Sequence, residues 1–401
     1  MVQIKQFAIE RWMDDYEHSA KLNLAETCCA SISLHDLQSL SSAESSKAIV
    51  DYSQKQVYGA IRGTETLRSN IAAQFIPEGA RLNADNVLIT NGAIQANFLA
   101  LYTNVGPGDH VICHYPTYQQ LYSVPESLGA EVSLWRAKED DGWRVDIDEL
   151  RALIRPNTKL IIINNPQNPT GATLSRTVLS SIVDVAREHA IFIHSDEVYR
   201  PLFHSLNDDE ERPPSILAFN YPKSLATGSM SKAFSLAGIR LGWIASPSPA
   251  LIDAFASALD YTTISVSQLD DAVAAFALSE AVVHNLLARN VALARSNLAL
   301  VSAFVEEHKA TCRWAKPTAG TTAFVRFERD GKPVDDSEFC KRVLEKTGVL
   351  LAPGSTCFGE GEVFQGFVRI GYVQDTQVMV DGLNALRAFM REEFAKVPLA
   401  A

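Results

Sequence analysis

At 401 residues, 47% hydrophobic and 21% charged, the chain is long enough for two domains, or one large domain with a substantial satellite, and its composition excludes a disordered protein. A formal net charge of −11 argues against a polyanion-binding surface, because nucleic-acid footprints are clusters of lysine and arginine on one face. Small molecules are therefore the expected partners, with no nucleic acid and no membrane.

The start, MVQIKQFAIERWMDDYEH, carries charges every few residues and no apolar run. That pattern fits neither a signal peptide nor a membrane anchor, so a cytoplasmic address is expected. Cys28 and Cys29 are the only close pair among six cysteines; Cys113, Cys312, Cys340 and Cys357 lie far apart. Without metal-ligand spacing they read as reduced, mostly buried thiols, and no metal site is expected.

From about residue 64 a helical pattern, TETLRSNIAAQF, gives way to short apolar runs that end in turn residues: NVLITNG, HVICHYPTY, AEVSLW, KLIIINNPQNP, AIFIHSDEVY, SLATGSMSK and IRLGWIASP. Helix-like stretches separate several of them, such as SRTVLSSIVDVAREHA, which Ser175 is placed to cap. Buried strands alternating with helices predict an α/β domain with a mostly parallel sheet flanked by helices. After Pro247 the pattern turns helical, first ALIDAFASALDY, then a stretch from Gln268 to His308 that is too long for an ordinary helix and must break or span. Strand and helix patterns alternate again to the end, as a smaller α+β C-terminal domain. The expected division is an N-terminal arm and part of the small domain over 1–35, a large domain over 36–280, and the small domain over 281–401.

In open parallel sheets ligands bind beyond the carboxyl ends of the strands. Polar residues there form a coherent set: Gly92 and Ala93 after NVLIT, Asn168 after IIINNPQ, Asp196 ending IFIHSD, and Lys232 after LATGSMS. Asp196 reads either as a cap or partner of Arg200, or as an anion that keeps a ligand's ring nitrogen protonated. Lys232, between Ser229 and Ser231, reads either as a surface lysine on a first helical turn or as a Schiff-base nucleophile whose pKa a nearby cation, Arg240, lowers. Arg240 would also grip a phosphate, joined by the free N–H groups where Thr90-Asn91-Gly92 feeds a helix. Tyr118 could stack on an aromatic ligand, the plainer reading being core packing. Amine, buried carboxylate, phosphate cradle and aromatic plate together are what pyridoxal phosphate requires.

The motifs YGAIRG (Tyr58 onward), NPQNPTG (165–171), SDEVY (195–199), SMSKAFSLAGIRLGW (229–243) and FVRIGY (367–372) give the chain a resemblance to the class I/II aminotransferases, pyridoxal-phosphate enzymes of fold type I, over nearly its full length. The resemblance implies an aspartate-aminotransferase-like fold and a cofactor, pyridoxal 5'-phosphate, bound as an aldimine to Lys232. Lys232 would also move the Cα proton, Asp196 would pair with the pyridine nitrogen, and Asn168 and Tyr199 would donate to the phenolic oxygen. Ser229, Ser231, Arg240, Gly92 and the backbone of Ala93 and Ile94 would hold the phosphate, with Tyr58 reaching it from a second subunit of a homodimer. Tyr118 would stack on the ring, and Arg369, helped by Asn168, would clamp the substrate α-carboxylate. One departure stands out: where relatives carry a Gly-Glu-Pro-like lid turn, this chain reads LNLAETCCASIS.

The implied reaction is transfer of the amino group of an L-amino acid to a 2-oxo acid. Elimination or replacement at the β or γ carbon, cyclisation or oxidation would begin from the same carbanion, and a ligand-sensing module without turnover is a further alternative. His114 and His194 read as core histidines, and Thr262 and Thr263 as contributors to a partner's phosphate site. No second arginine is assigned to a distal carboxylate, so apolar and cationic substrate side chains are equally compatible.

Overall fold

The computed structural model describes residues 4–42, 48–206, 211–359 and 363–401. Its strands are β1 (Leu22–Asn23), β2 (Val87–Thr90), β3 (His110–Tyr115), β4 (Glu131–Arg136), β5 (Thr158–Asn164), β6 (Phe192–Asp196), β7 (Ser224–Ser229), β8 (Gly242–Ala245), β9 (Cys312–Trp314), β10 (Thr322–Arg329), β11 (Lys332–Pro333), β12 (Val349–Leu350), β13 (Ala352–Pro353) and β14 (Phe367–Gly371).

Seven strands form the central sheet in the order β2-β8-β7-β6-β5-β3-β4. The pairs β3–β4, β3–β5, β5–β6 and β6–β7 are parallel, as the alternation of apolar runs and helices predicts. Leu160 to Ile163 on β5 are buried without a polar break, because helices cover both faces and leave no wet side. β8 departs from the rule, running antiparallel to both neighbours. Residues 230–241 turn back with only a short 3-10 turn, Ala237–Ile239, and no crossover helix, so a parallel return is not available.

Local signals set the helix starts. Ser175 accepts from the backbone N–H of Val178 and opens Arg176–Glu188, while Thr64 does the same for Glu65–Ala73. The stretch from Gln268 both breaks and spans: Gln268–Ala277 and Glu280–Glu307 meet at 77°. The second helix, roughly 40 Å long at 1.5 Å per residue, ties distant parts together. Asn290 donates to the carbonyl of Ala233, beside Lys232, and Asn297 to that of Gln374 near the C-terminus. Among the described residues no single helix is long and apolar enough to cross a membrane.

A second, antiparallel sheet holds β11-β10-β14-β13 with β9 on β10. β1 pairs in parallel with β12, so the N-terminal segment is fixed to the C-terminal part of the chain. From there residues 24–30 run across the carboxyl edge of the large sheet. The backbone of Cys29 donates to the carbonyl of Lys232 and that of Ala30 to the carbonyl of Val373.

Candidate active site

The parallel register brings Asn164, Asp196 and Thr227 level at the carboxyl ends of β5, β6 and β7, and the β7–β8 pairing sets Ser229 opposite Gly242. A cavity of about 310 Å³ opens over this edge. Ala93, Ile94, Tyr118, Asn168, Asp196, Tyr199, Ser229, Ser231, Lys232, Arg240 and Arg369 line it. Gly92 lies directly against the guanidinium of Arg240, whereas Tyr58 is 81% exposed and lines no part of this cavity within its own chain.

The cradle for an anion is built from close backbone approaches. Helix Gly92–Asn104 starts without a side-chain cap, leaving the N–H groups of its first turn to a ligand. Gly92 has φ +72°, and a Cβ there would stand 2.7 Å from Nη2 of Arg240. A Cβ on Gly242 would come within 2.5 Å of the Ala93 nitrogen, so only glycine lets β8 approach this helix start. Ser229 donates to Ser231 at 2.9 Å, and Arg240 Nη1 reaches Ser231 Oγ at 3.2 Å. Two hydroxyls, one guanidinium and free N–H groups suit a phosphate.

Asp196 is buried, and burial raises its carboxyl to about 6 despite the donors Asn97 and Val198 N–H and the charge of Lys232. Asn97 Nδ2 donates to Asp196 Oδ2 at 2.9 Å. The Asn97 oxygen in turn takes Thr227 Oγ1 at 2.6 Å and meets His194 Nε2 at 3.1 Å. That oxygen only accepts, so His194 carries its proton on Nε2 here. Burial lowers His194 to about 3, keeping the ring neutral. His194 is thus a core histidine with a task, since it orients the amide that orients Asp196. Arg200 is not a partner of Asp196; it pairs with Glu78 at 2.5 Å and Glu197 at 3.3 Å.

The Lys232 ammonium donates to Thr27 Oγ1 at 2.6 Å and contacts Cys28 Sγ at 3.4 Å. Two expectations are corrected here. No helix begins at Lys232, which sits in a turn. Nor is its pKa depressed by Arg240. Burial pulls it down, but Cys28, Tyr199 and Glu26 outweigh burial and hold it above the ordinary lysine range, with Arg369 the cation that opposes them. Burial pushes the Cys28 thiol and the Tyr199 hydroxyl up, and Glu26 is the one carboxylate among these three neighbours of Lys232. Burial pushes the Glu26 carboxyl up too, but Lys232 and the N–H groups of Cys28 and Thr27 bring it below the usual range.

Arg369, on β14, is 5% exposed. It donates to Asn168 Oδ1 at 3.3 Å and to the carbonyl of Ala25 at 2.9 Å, lies over the Phe358 ring at 5.3 Å, and keeps a buried Nε with no partner among the described residues. Tyr118 lines the cavity with its hydroxyl on Glu10 Oε1 at 2.7 Å. Thr262 and Thr263 both receive Gln95 Nε2, at 2.9 and 3.0 Å. His114 is buried against Trp135. Sequence reasoning missed Asn97, whose signal is an amide inside an apolar helix, and the ring of Glu10, Glu26 and Thr27, for which no local signal exists. All six cysteines are free, and Cys28 alone is partly exposed.

The set fits pyridoxal phosphate: an amine, a buried carboxylate, an anion cradle and an aromatic wall share one cavity. Comparison with known proteins agrees. The family model "Aminotransferase class I and II" matches residues 21–386. Capreomycidine synthase of Streptomyces vinaceus is 28% identical over 94% of this chain and 92% of its own length. An aspartate aminotransferase of Pyrococcus horikoshii is 28% identical over 79% of this chain and 78% of its own. The crystal structure of a PLP-dependent aminotransferase from Streptococcus suis superposes with a TM-score of 0.87 at 38% identity, covering 97% of this chain and 98% of that one. The chain belongs to the class I and II aminotransferases, enzymes that work with pyridoxal 5'-phosphate.

Proposed function

We propose that this cavity exchanges an amino group between an L-amino acid and a 2-oxo acid, with Lys232 at its centre. The observation that carries the reading is the meeting of Lys232, Asp196 and Arg369 in one cavity beside an anion cradle. When bound, the cofactor supplies an aldehyde that takes up amino groups and a cationic ring that weakens the substrate's Cα–H bond. Ser229, Ser231, Arg240 and the N–H groups of Ala93 and Ile94 would hold its phosphate. Asp196 would keep the ring nitrogen protonated, with Asn97 holding the carboxylate in place. Asn168 and Tyr199 would donate to the ring oxygen, and Tyr118 would lie against the ring.

Lys232 must shed the proton that Glu26 favours before its nitrogen can bond to a carbonyl carbon. With its nitrogen free, Lys232 would be the base that carries the substrate's Cα proton. Arg369 would take the α-carboxylate through its planar fork, with Asn168 beside it. Tyr58 has a task only in a homodimer, where it would reach the partner's phosphate. Exposed apolar side chains at Tyr58, Ile61, Ile94, Phe98 and Tyr102 support a covering subunit, and six free thiols suit a cytoplasmic setting.

The half-reaction tests this reading. Holoenzyme mixed with one amino acid and no acceptor is expected to release one equivalent of 2-oxo acid per site, with a change in cofactor absorbance that an added 2-oxo acid reverses. Continuous release of ammonia, peroxide or a cyclised product would instead favour a second reading, supported by the relative named for the compound it makes rather than for amino transfer.

A further inference from the structure

Apart from Asp196, which the ring nitrogen would occupy, the charges that line the cavity divide by origin. The cations, Lys232, Arg240 and Arg369, come from the sheets and their turns, and the reading above commits them to the reacting carbon, the phosphate and the α-carboxylate. The wall built from residues 9–28 supplies only anions: Glu10, Glu17 and Glu26. Ile9, Glu10, Met13 and Glu17 lie on one face of the helix Ala8–Tyr16 and the 3-10 turn Glu17–Ser19 that extends it, since positions four apart in a helix stack. Each glutamate has one oxygen held by the protein. Glu10 Oε1 takes the Tyr118 hydroxyl, Glu17 Oε1 takes Asn23 Nδ2 at 3.1 Å, and Glu26 Oε1 takes the N–H groups of Thr27 and Cys28 at 2.6 and 2.7 Å. Among the described residues no hydrogen bond or ion pair engages Oε2 of Glu10 or Glu17, and beyond those two N–H groups the Glu26 carboxylate meets only the small, neutral thiol of Cys28 and the charge of Lys232.

The position of Glu26 is specific. Its predecessor Ala25 binds Arg369, and its successors Thr27 and Cys28 contact Lys232. Glu26 therefore stands between the group that takes the substrate's carboxylate and the group that exchanges with its amine. The buried Nε of Arg369, unpartnered among the described residues, is independent evidence that an anionic ligand group belongs beside it. An amino acid anchored by those two groups brings its side chain against the wall that carries the open carboxylate oxygens.

We propose that the substrate's side chain is cationic: an L-amino acid ending in an ammonium or guanidinium group, its methylenes along Met13 and its charge on Glu26, with Glu10 and Glu17 at the rim. The inference rests on the transaminase reading and names the substrate class for it. Charge-assisted hydrogen bonds to a partly buried carboxylate give the expected size, roughly 20-fold preference over a neutral isostere.

The test follows the absorbance of the bound cofactor in holoenzyme mixed with L-ornithine, L-lysine and L-arginine, against the neutral L-norleucine and L-citrulline. The cationic substrates are expected to show kcat/KM about 20-fold higher, mostly through KM. Glu26→Gln keeps the acceptor for Thr27 and Cys28, and is expected to lower the cationic rates about 20-fold more than the norleucine rate. A wild-type ratio near one, or a ratio that survives both Glu26→Gln and the Glu10→Gln, Glu17→Gln pair, overturns the proposal while leaving transamination standing. Holoenzyme that responds to no amino acid overturns the transaminase reading and this proposal with it.

Discussion

Asp196 shows how a single residue's surroundings decide its chemistry. A carboxylate at the end of a buried strand is expensive, and without a cationic ligand its pKa rises from 3.8 to about 6. A folded-state value above the unfolded one means the folded chain binds the proton more tightly, so stability falls as pH rises from about 4 to above 6. The loss is on the order of 3 kcal/mol, at about 1.4 kcal/mol per unit. Asp196→Asn in the cofactor-free protein should therefore gain stability over wild type as pH climbs through that window, measured by denaturant unfolding at several pH values. In the loaded enzyme the same change is expected to lower kcat by about 10²- to 10³-fold, because a neutral amide no longer holds the ring's proton. A variant that is no more stable at pH 7.5 than wild type, or that turns over normally, contradicts this role. Asp196 and Lys232 were legible in the sequence because a charged residue at the end of an apolar run needs a reason. Asn97, Thr227 and His194, which hold Asp196, look like ordinary helix and strand residues and become legible only when β6, β7 and the helix Gly92–Asn104 are packed together.

Elements with a strong local pattern were predicted well. The apolar runs became β2 through β8, and the Ser175 cap opens its helix, because burial and capping are decided within a few residues. Direction and partner are decided elsewhere, which is why the antiparallel course of β8 escapes a reading that sees only an apolar run. The turn between β7 and β8 illustrates the same limit. Lys232 reads from the sequence as a residue on a first helical turn, yet Asn290, from a helix far along the chain, donates to the carbonyl of Ala233, and Ser229 receives the N–H of Ser231. The N-terminal wall is least legible of all. LNLAETCCASIS has no helical or strand period, and it is ordered by contacts with residues some 200 to 340 positions away, at Lys232, Val349, Leu350 and Arg369.

At the scale of the whole molecule, one chain supplies every predicted site residue except Tyr58. If a second subunit completes the phosphate site, Tyr58→Phe should raise the dissociation constant for pyridoxal phosphate by about 10- to 100-fold, the worth of one hydrogen bond to a charged group. The denaturation midpoint should change little, because the side chain is exposed. An unchanged dissociation constant contradicts the shared site. The central claim is that the two sheets and the N-terminal wall converge on a single reacting amine, Lys232. Borohydride reduction of the loaded protein, followed by peptide mapping, tests it most directly. One pyridoxyl group per chain, attached at Lys232 and absent in Lys232→Ala, is the predicted result; a label on another lysine, or protein that takes up no cofactor, would contradict it.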